Sequence, residues 1–239
     1  MGFWDTLVMQ FKSTFIIDNR WKVFLTGFKN TLLITIVAAL IGVVLGTVIA
    51  VIHYNAAQKH KRKTLMTYLV AIADKVCMVY VAVMRGTPVA IQLMIMAFLL
   101  MAGKDKILVA CIAFGLNSSA YVSEVIRGGI NSVDIGQMEA GRSLGLSRVT
   151  TMRKIILPQA LKNILPALCN EGIAVLKETS VVGMIAVVDL TRASDLVRSR
   201  TLLAFFPLVS VALIYFILVF GLSMAVRQLE RRLAKSDRS

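Results

Sequence analysis

Residues Gln137–Pro158 read QMEAGRSLGLSRVTTMRKIILP. This is the longest polar interval between apolar runs in the chain. Its glycine, serine and proline punctuation predicts two short helices. The first runs from Gln137 to Leu144, and Gly145 follows where a left-handed C-terminal residue is wanted. Ser147 is placed to cap a second helix that starts at Arg148. Pro158 then falls where the next long helix opens, a position that tolerates a missing N–H. Ala140, Gly141 and Gly145 are small, so another backbone or a groove can come close. Spacing alone fits two readings equally: a short helix plugged into a partner protein, or an ordinary soluble loop between two spans.

The surrounding chain decides the class. Of 239 residues, 57% are hydrophobic, and the mean hydropathy of +0.76 is too high for a soluble domain. A polytopic membrane protein with one transmembrane domain fits these values. A net charge of +14 raises nucleic acid as a partner. The basic residues, however, gather in the gaps between apolar runs, as the positive-inside rule predicts for a membrane chain. Cys77, Cys111 and Cys169 lie far apart inside apolar runs and show no metal-ligand spacing. His53 and His60 flank a basic loop, with no partner ligand nearby in the sequence.

In chain order, residues 1–29 lack the core and cleavage site of a signal peptide. Phe3, Trp4, Leu7, Val8, Phe11 and Phe15 recur at helical spacing and predict an amphipathic segment at the lipid interface. Trp21, between Arg20 and Lys22, reads as an interfacial anchor. Five spans follow, at about 31–52, 65–101, 107–126, 164–188 and 202–226, within a transmembrane domain of residues 30–226. Residues 227–239 form a basic tail. In the second span Thr67, Asp74 and Arg85 share a helical stripe, most simply a solvated or headgroup-level face. Arg85-Gly86-Thr87-Pro88 breaks that helix. Asn117, Tyr121 and Glu124 share a face of the third span. The fourth is the most polar, with Asn170, Glu171, Lys177 and Glu178 within one face.

Four basic residues in 53–64, five in 127–154 and five in 227–239 belong on one side. Four in 1–29, two in 103–106 and three in 189–201 fall on the other. This bias puts the N-terminus outside and the C-terminus in the cytoplasm.

Glu139-Ala140-Gly141, then Gly145, then Ile155-x-Leu157-Pro158, resembles the EAA loop of permease subunits of ATP-binding-cassette importers. The usual pattern has alanine where this chain has Gly141. RGTPVAIQL from Arg85, SAYVSEVIRGGI from Ser119, LPQALKNILPAL from Leu157 and NEGIAVLKETS from Asn170 are similar to the polar-amino-acid subfamily. The resemblance covers most of residues 24–226. It implies an all-α, five-helix bundle of the type I importer architecture in a bacterial cell membrane. It implies that loop 137–158 is a coupling helix docked in a cytoplasmic ATPase, with Glu139, Ala140, Gly141, Leu144, Gly145 and Leu146 at the contact. ATP and Mg would then bind two partner ATPase subunits, and an extracytoplasmic amino-acid-binding protein would deliver cargo.

The residues themselves support part of this picture. Five spans are few for a whole pathway, which predicts a homodimer or a sister subunit. No G-x-x-x-x-G-K-[ST] sequence is present, so ATP chemistry has to come from another chain. An amino acid carries an ammonium and a carboxylate. On the polar fourth span Glu171 suits the first, Lys177 the second and Asn170 either, with Asn117 as a further candidate. The plainer reading is that Glu171, Lys177, Glu178 and Glu124 pair with one another to hold the bundle. An ion-coupled secondary amino acid transporter is the alternative function. It would use similar charges, but the internal repeats usual for it are not found. An intramembrane enzyme would need a nucleophile with a base, or metal ligands. A membrane scaffold would not need the polar fourth span.

Overall fold

A computed structural model describes residues 2–57 and 64–235. Lys59, His60, Lys61, Arg62 and Lys63 of the basic segment, and Arg238 of the tail, lie outside the described residues. Every regular element among the described residues is helical. The helices are α1 (Phe3–Phe11), α2 (Trp21–Ala56), α3 (Leu65–Gly86), α4 (Val89–Ile95), α5 (Lys106–Asn131), α6 (Ile135–Ser143), α7 (Arg148–Thr151), α8 (Leu157–Glu178), α9 (Leu190–Thr201) and α10 (Phe205–Lys235).

Four helices, α2, α3, α5 and α10, are long and apolar enough to cross a membrane. The fourth predicted span, 164–188, falls on α8 and on a 3-10 stretch, Thr179–Ile185. Its charges lower its hydropathy rather than its helicity. Trp21 is the first residue of α2, which continues for 36 residues. At 1.5 Å per residue that is about 54 Å, well beyond a hydrocarbon core of about 30 Å. The predicted break in 65–101 occurs at Pro88. Thr87 is extended there, because a residue before proline is pushed out of the helical region. Val89–Ile95 and a π turn at Met96–Leu100 complete the segment.

The chain forms two compact units. The first comprises the chain up to Ala39, Pro88–Phe114 and Ile173–Leu222. Ile34, Leu93, Phe114, Val175, Val182 and Ile185 make its main core. A second cluster sets Phe24 of α2 against Leu190, Ala193 and Val197 of α9 and Val211 of α10. Phe15 joins this cluster, with ring centroids 5.1 Å from Phe24 and 6.4 Å from Phe206, so it packs on protein. Trp4 and Val8 of α1 are exposed.

The chain between the 3-10 stretch and α9 is not helical, and its polar backbone needs partners in an apolar setting. The Asn30 amide donates to the Val188 carbonyl at 2.8 Å, and the Leu190 amide donates to the Thr31 hydroxyl at 3.3 Å. Asp189 is fully buried and caps α9, accepting from the amides of Thr191 and Arg192 at 2.9 Å each. Burial pushes its carboxyl above the ordinary range, and those amides pull it back.

The second unit comprises Leu40–Thr87, Gly115–Gly172 and the chain from Ser223. Here α2 lies against α5 through Gly42 and Gly46, a small-xxx-small pair. A Cβ at Gly46 would stand 2.6 Å from Val122 Cγ1 and 2.8 Å from the Ser119 carbonyl oxygen. In lipid, apolar side chains gain little by meeting one another, so close backbone approach supplies the dispersion contacts instead. Gly46→Ala is expected to lower stability by about 1–3 kcal/mol through overpacking. Gly221→Ala, where nothing crowds the added carbon, is expected to be neutral or to stabilise by up to about 1 kcal/mol. Unfolding in detergent, followed by circular dichroism, compares the two.

Candidate functional site

The loop that decides the fold forms an elbow in the second unit. Asp134 opens α6 by accepting the Gly136 amide at 2.6 Å. At the other end the Leu146 amide donates to the Gly141 carbonyl at 3.1 Å, and the Gly145 amide to the Arg142 carbonyl at 3.0 Å. This is a Schellman closure, and it needs a left-handed residue after the cap. Gly145 supplies it, at φ +79°. Arg142 also donates to the Leu146 carbonyl at 2.6 Å. Ser147 caps α7 by accepting the Thr150 amide at 3.1 Å.

Of the small residues in the motif, Gly141 is buried, and what it faces is Thr151 of the same elbow. A Cβ there would stand 2.5 Å from Thr151 Cγ2. Its smallness therefore seats α6 on α7. Glu139 and Ala140 are exposed, Leu146 is half-buried, and Leu144 is 80% exposed at the tip. Ile135 and Val149 are exposed as well. Pro158 does not begin a new helix. The chain stays helical from Arg148 to Glu178, and a π turn at Met152–Ile156 comes just before Leu157-Pro158. A widened turn is one way a helix absorbs a missing N–H.

The candidate cargo residues are dispersed. Asn117 is buried on α5, and its amide donates to the Met84 carbonyl at 3.2 Å. Glu171 is half-buried on α8 and accepts from the Ser118 hydroxyl at 3.0 Å. Asn170 is exposed beside it. Lys177 is exposed and belongs to the other unit. The expected pairing among Glu124, Glu171, Lys177 and Glu178 is not what Glu124 and Glu171 do, since Glu171 meets Ser118 and Glu124 meets arginines. Arg127 grips Glu124 with Nε at 3.0 Å and Nη2 at 2.5 Å, and Arg85 Nη1 reaches it at 3.4 Å.

These arginines line a cavity of about 550 Å³ together with Glu124, His53 and Asp74, against an apolar wall of Met78, Val81 and Ala82. His53 Nδ1 is hydrogen-bonded to Asp74 Oδ1, so His53 does have a partner. The Arg85 guanidinium lies 5.4 Å above the Tyr121 ring. The stripe of Asp74 and Arg85 is thus turned to protein and to the cavity, because an intramembrane charge seeks a partner. Among the described residues no group of three or more side chains could hold a metal ion.

Residues 64–235 match the family model described as binding-protein-dependent transport system inner membrane component. The chain belongs to that family. This inner-membrane component is 39% identical to the arginine transport system permease protein ArtQ of Bacillus subtilis (strain 168), over 89% of this chain and 93% of that one. It is 40% identical to the glutamine transport system permease protein GlnP of Escherichia coli (strain K12), over 68% and 76%. It superposes on the crystal structure of an amino acid ABC transporter with histidines at a TM-score of 0.81 and 38% identity, covering 90% of this chain and 96% of that one. The component is therefore an all-α, multi-pass membrane protein with the type I importer permease fold. Its role is transport, not catalysis, and nothing among these similarities supports the ion-coupled alternative.

The elbow's closure yields a local test. No atom lies within 4 Å of a Cβ at Gly145, so a substitution there strains only the backbone. A β-branched residue in the left-handed region costs about 1–2 kcal/mol, and asparagine costs less. Gly145→Val is expected to insert normally and to speed hydrogen exchange at the Leu146 amide. Gly145→Asn should exchange close to the parent.

Proposed function

We propose that this component is the permease subunit of an ATP-driven amino acid importer, forming half of its translocation pathway. It pairs with a second copy or a sister permease. Two cytoplasmic ATPase subunits bind ATP and Mg, and an extracytoplasmic amino-acid-binding protein delivers cargo. The N-terminus lies outside and the C-terminus in the cytoplasm, so that the elbow faces the ATPases.

The observation that carries this reading is the elbow. A polar loop closed at Gly145, capped at Ser147 and internally packed through Gly141 is held together as one piece. It holds Leu144 out at 80% exposure, with Ile135 and Val149 of the same elbow also exposed, apolar surface that a partner's groove can cover. A rigid knob is what a bistable bundle needs to be biased by an event on another protein. Relatives named for arginine and glutamine support amino acids as the cargo class.

Two outcomes test the proposal. Leu144→Asp should leave membrane insertion intact and abolish co-purification with the ATPase; unchanged co-purification would remove Leu144 from the contact. Glu171→Gln, which keeps an acceptor for Ser118 but removes the charge, should raise the KM for uptake several-fold if Glu171 meets the cargo ammonium. Unchanged uptake kinetics would assign it to packing.

A further inference from the structure

The cavity between α2, α3 and α5 is chemically lopsided. Two carboxylates line it among the described residues, Asp74 and Glu124. Both are already engaged: Asp74 by His53, Glu124 by the two-pronged grip of Arg127 and by Arg85. They are also recessed, with side chains 21% and 25% exposed. The two arginine side chains are more open, at 45% for Arg85 and 54% for Arg127. Each carries five N–H donors, and the bonds to Glu124 use only some of them. The cavity thus offers spare donors for an anionic group and few open acceptors for a cationic one.

His53 is the residue that makes the difference at Asp74. A carboxylate can only accept, so the ring nitrogen facing it donates, whether the imidazole is neutral or charged. A cationic side chain entering the cavity has to displace that bond before it can pair with Asp74, whereas the α-ammonium is common to every amino acid and does not discriminate among them. A carboxylate entering meets Arg85 and Arg127 directly, in the planar geometry that guanidinium matches. A volume of about 550 Å³ suits a small molecule of amino acid size.

We propose that this cavity is a cargo site that recognises the carboxylate of an amino acid through Arg85 and Arg127, and that His53, by occupying Asp74, selects neutral and acidic side chains over cationic ones. The inference rests on the amino acid permease reading and narrows it to a charge class. His53 is the specificity-determining residue here, acting through Asp74.

The test is direct binding to the purified full chain in detergent, which leaves out selection by the binding protein. L-glutamine, L-glutamate and L-arginine are titrated by calorimetry, and uptake of the same three by cells is measured in parallel. The parent should bind glutamine or glutamate at least about ten-fold more tightly than arginine, the size of one hydrogen bond to a charged group. His53→Ala, which opens Asp74, should tighten arginine binding by a similar factor and leave glutamine little changed. His53→Asn, which keeps a donor, should retain the parent's discrimination, and Asp74→Asn added to His53→Ala should erase the gain. Arg85→Gln should weaken all three ligands. An unchanged arginine-to-glutamine ratio in His53→Ala, or a parent that prefers arginine, overturns the assignment. If no amino acid binds the purified chain while cellular uptake still requires it, the cavity site is wrong and the importer reading stands. If uptake is independent of the chain, both fall.

Discussion

Lipid offers no hydrogen bond to a polar side chain, and that constraint decides how α3 is held. Little of this helix is buried: 6% of its most apolar stretch. Its apolar contact with neighbours reduces to a small cluster around Ile49, Val81 and Ala120. What fixes it is a line of polar bonds. His53 of α2 meets Asp74. Tyr80 donates to the Leu116 carbonyl of α5 at 2.7 Å and lies 2.7 Å from the Ser119 hydroxyl. Asn117 reaches the Met84 carbonyl, and Arg85 reaches Glu124. Each bond would be modest in water, but in the membrane an unmade one leaves a polar group without a partner. The same bonds fix α3 in register and give the cavity its polar lining.

Where α2 meets α5 the logic is reversed. Gly42 and Gly46 strip away side chains, and attraction comes from backbone and small side chains in close contact. One face of α5 is therefore packed tightly by small residues, while Tyr121, Glu124 and Arg127 hold polar contacts. The division suits a helix that has to stay seated in its unit and still present charge to a passing solute.

Much of the elbow was legible in sequence because its signals are local. Gly145 and Ser147 act within four residues of themselves, and both do what their chemistry predicts. Hydropathy found the spanning helices for the same reason. Helical period found the stripes of Asp74 with Arg85 and of Asn117 with Tyr121 and Glu124, but not what each meets. His53 and Asp74 are 21 residues apart on different helices, and their meeting depends on how α2 and α3 pack. The Glu124–Arg127 pair, three residues apart on one helix, was available from spacing. The direction of Gly141 was not, since smallness alone does not say which neighbour comes close. The Gly42-x-x-x-Gly46 pattern was a readable signal of helix contact that hydropathy overshadowed.

The π turn at Met152–Ile156 gives the chain length of the elbow a mechanical meaning. Such a turn holds one residue more than an α turn. Deleting one residue there would restore ordinary winding with little change upstream, whereas deleting one from the regular helix that follows, within residues 157–172, would swivel everything upstream by about 100° around the α8 axis. Leu144 would then point along a different azimuth, and a socket shaped for it would meet the wrong side of the knob. The π turn thus behaves as slack in a gear train: one residue can leave it without turning the knob, and none can leave the ordinary helix behind it.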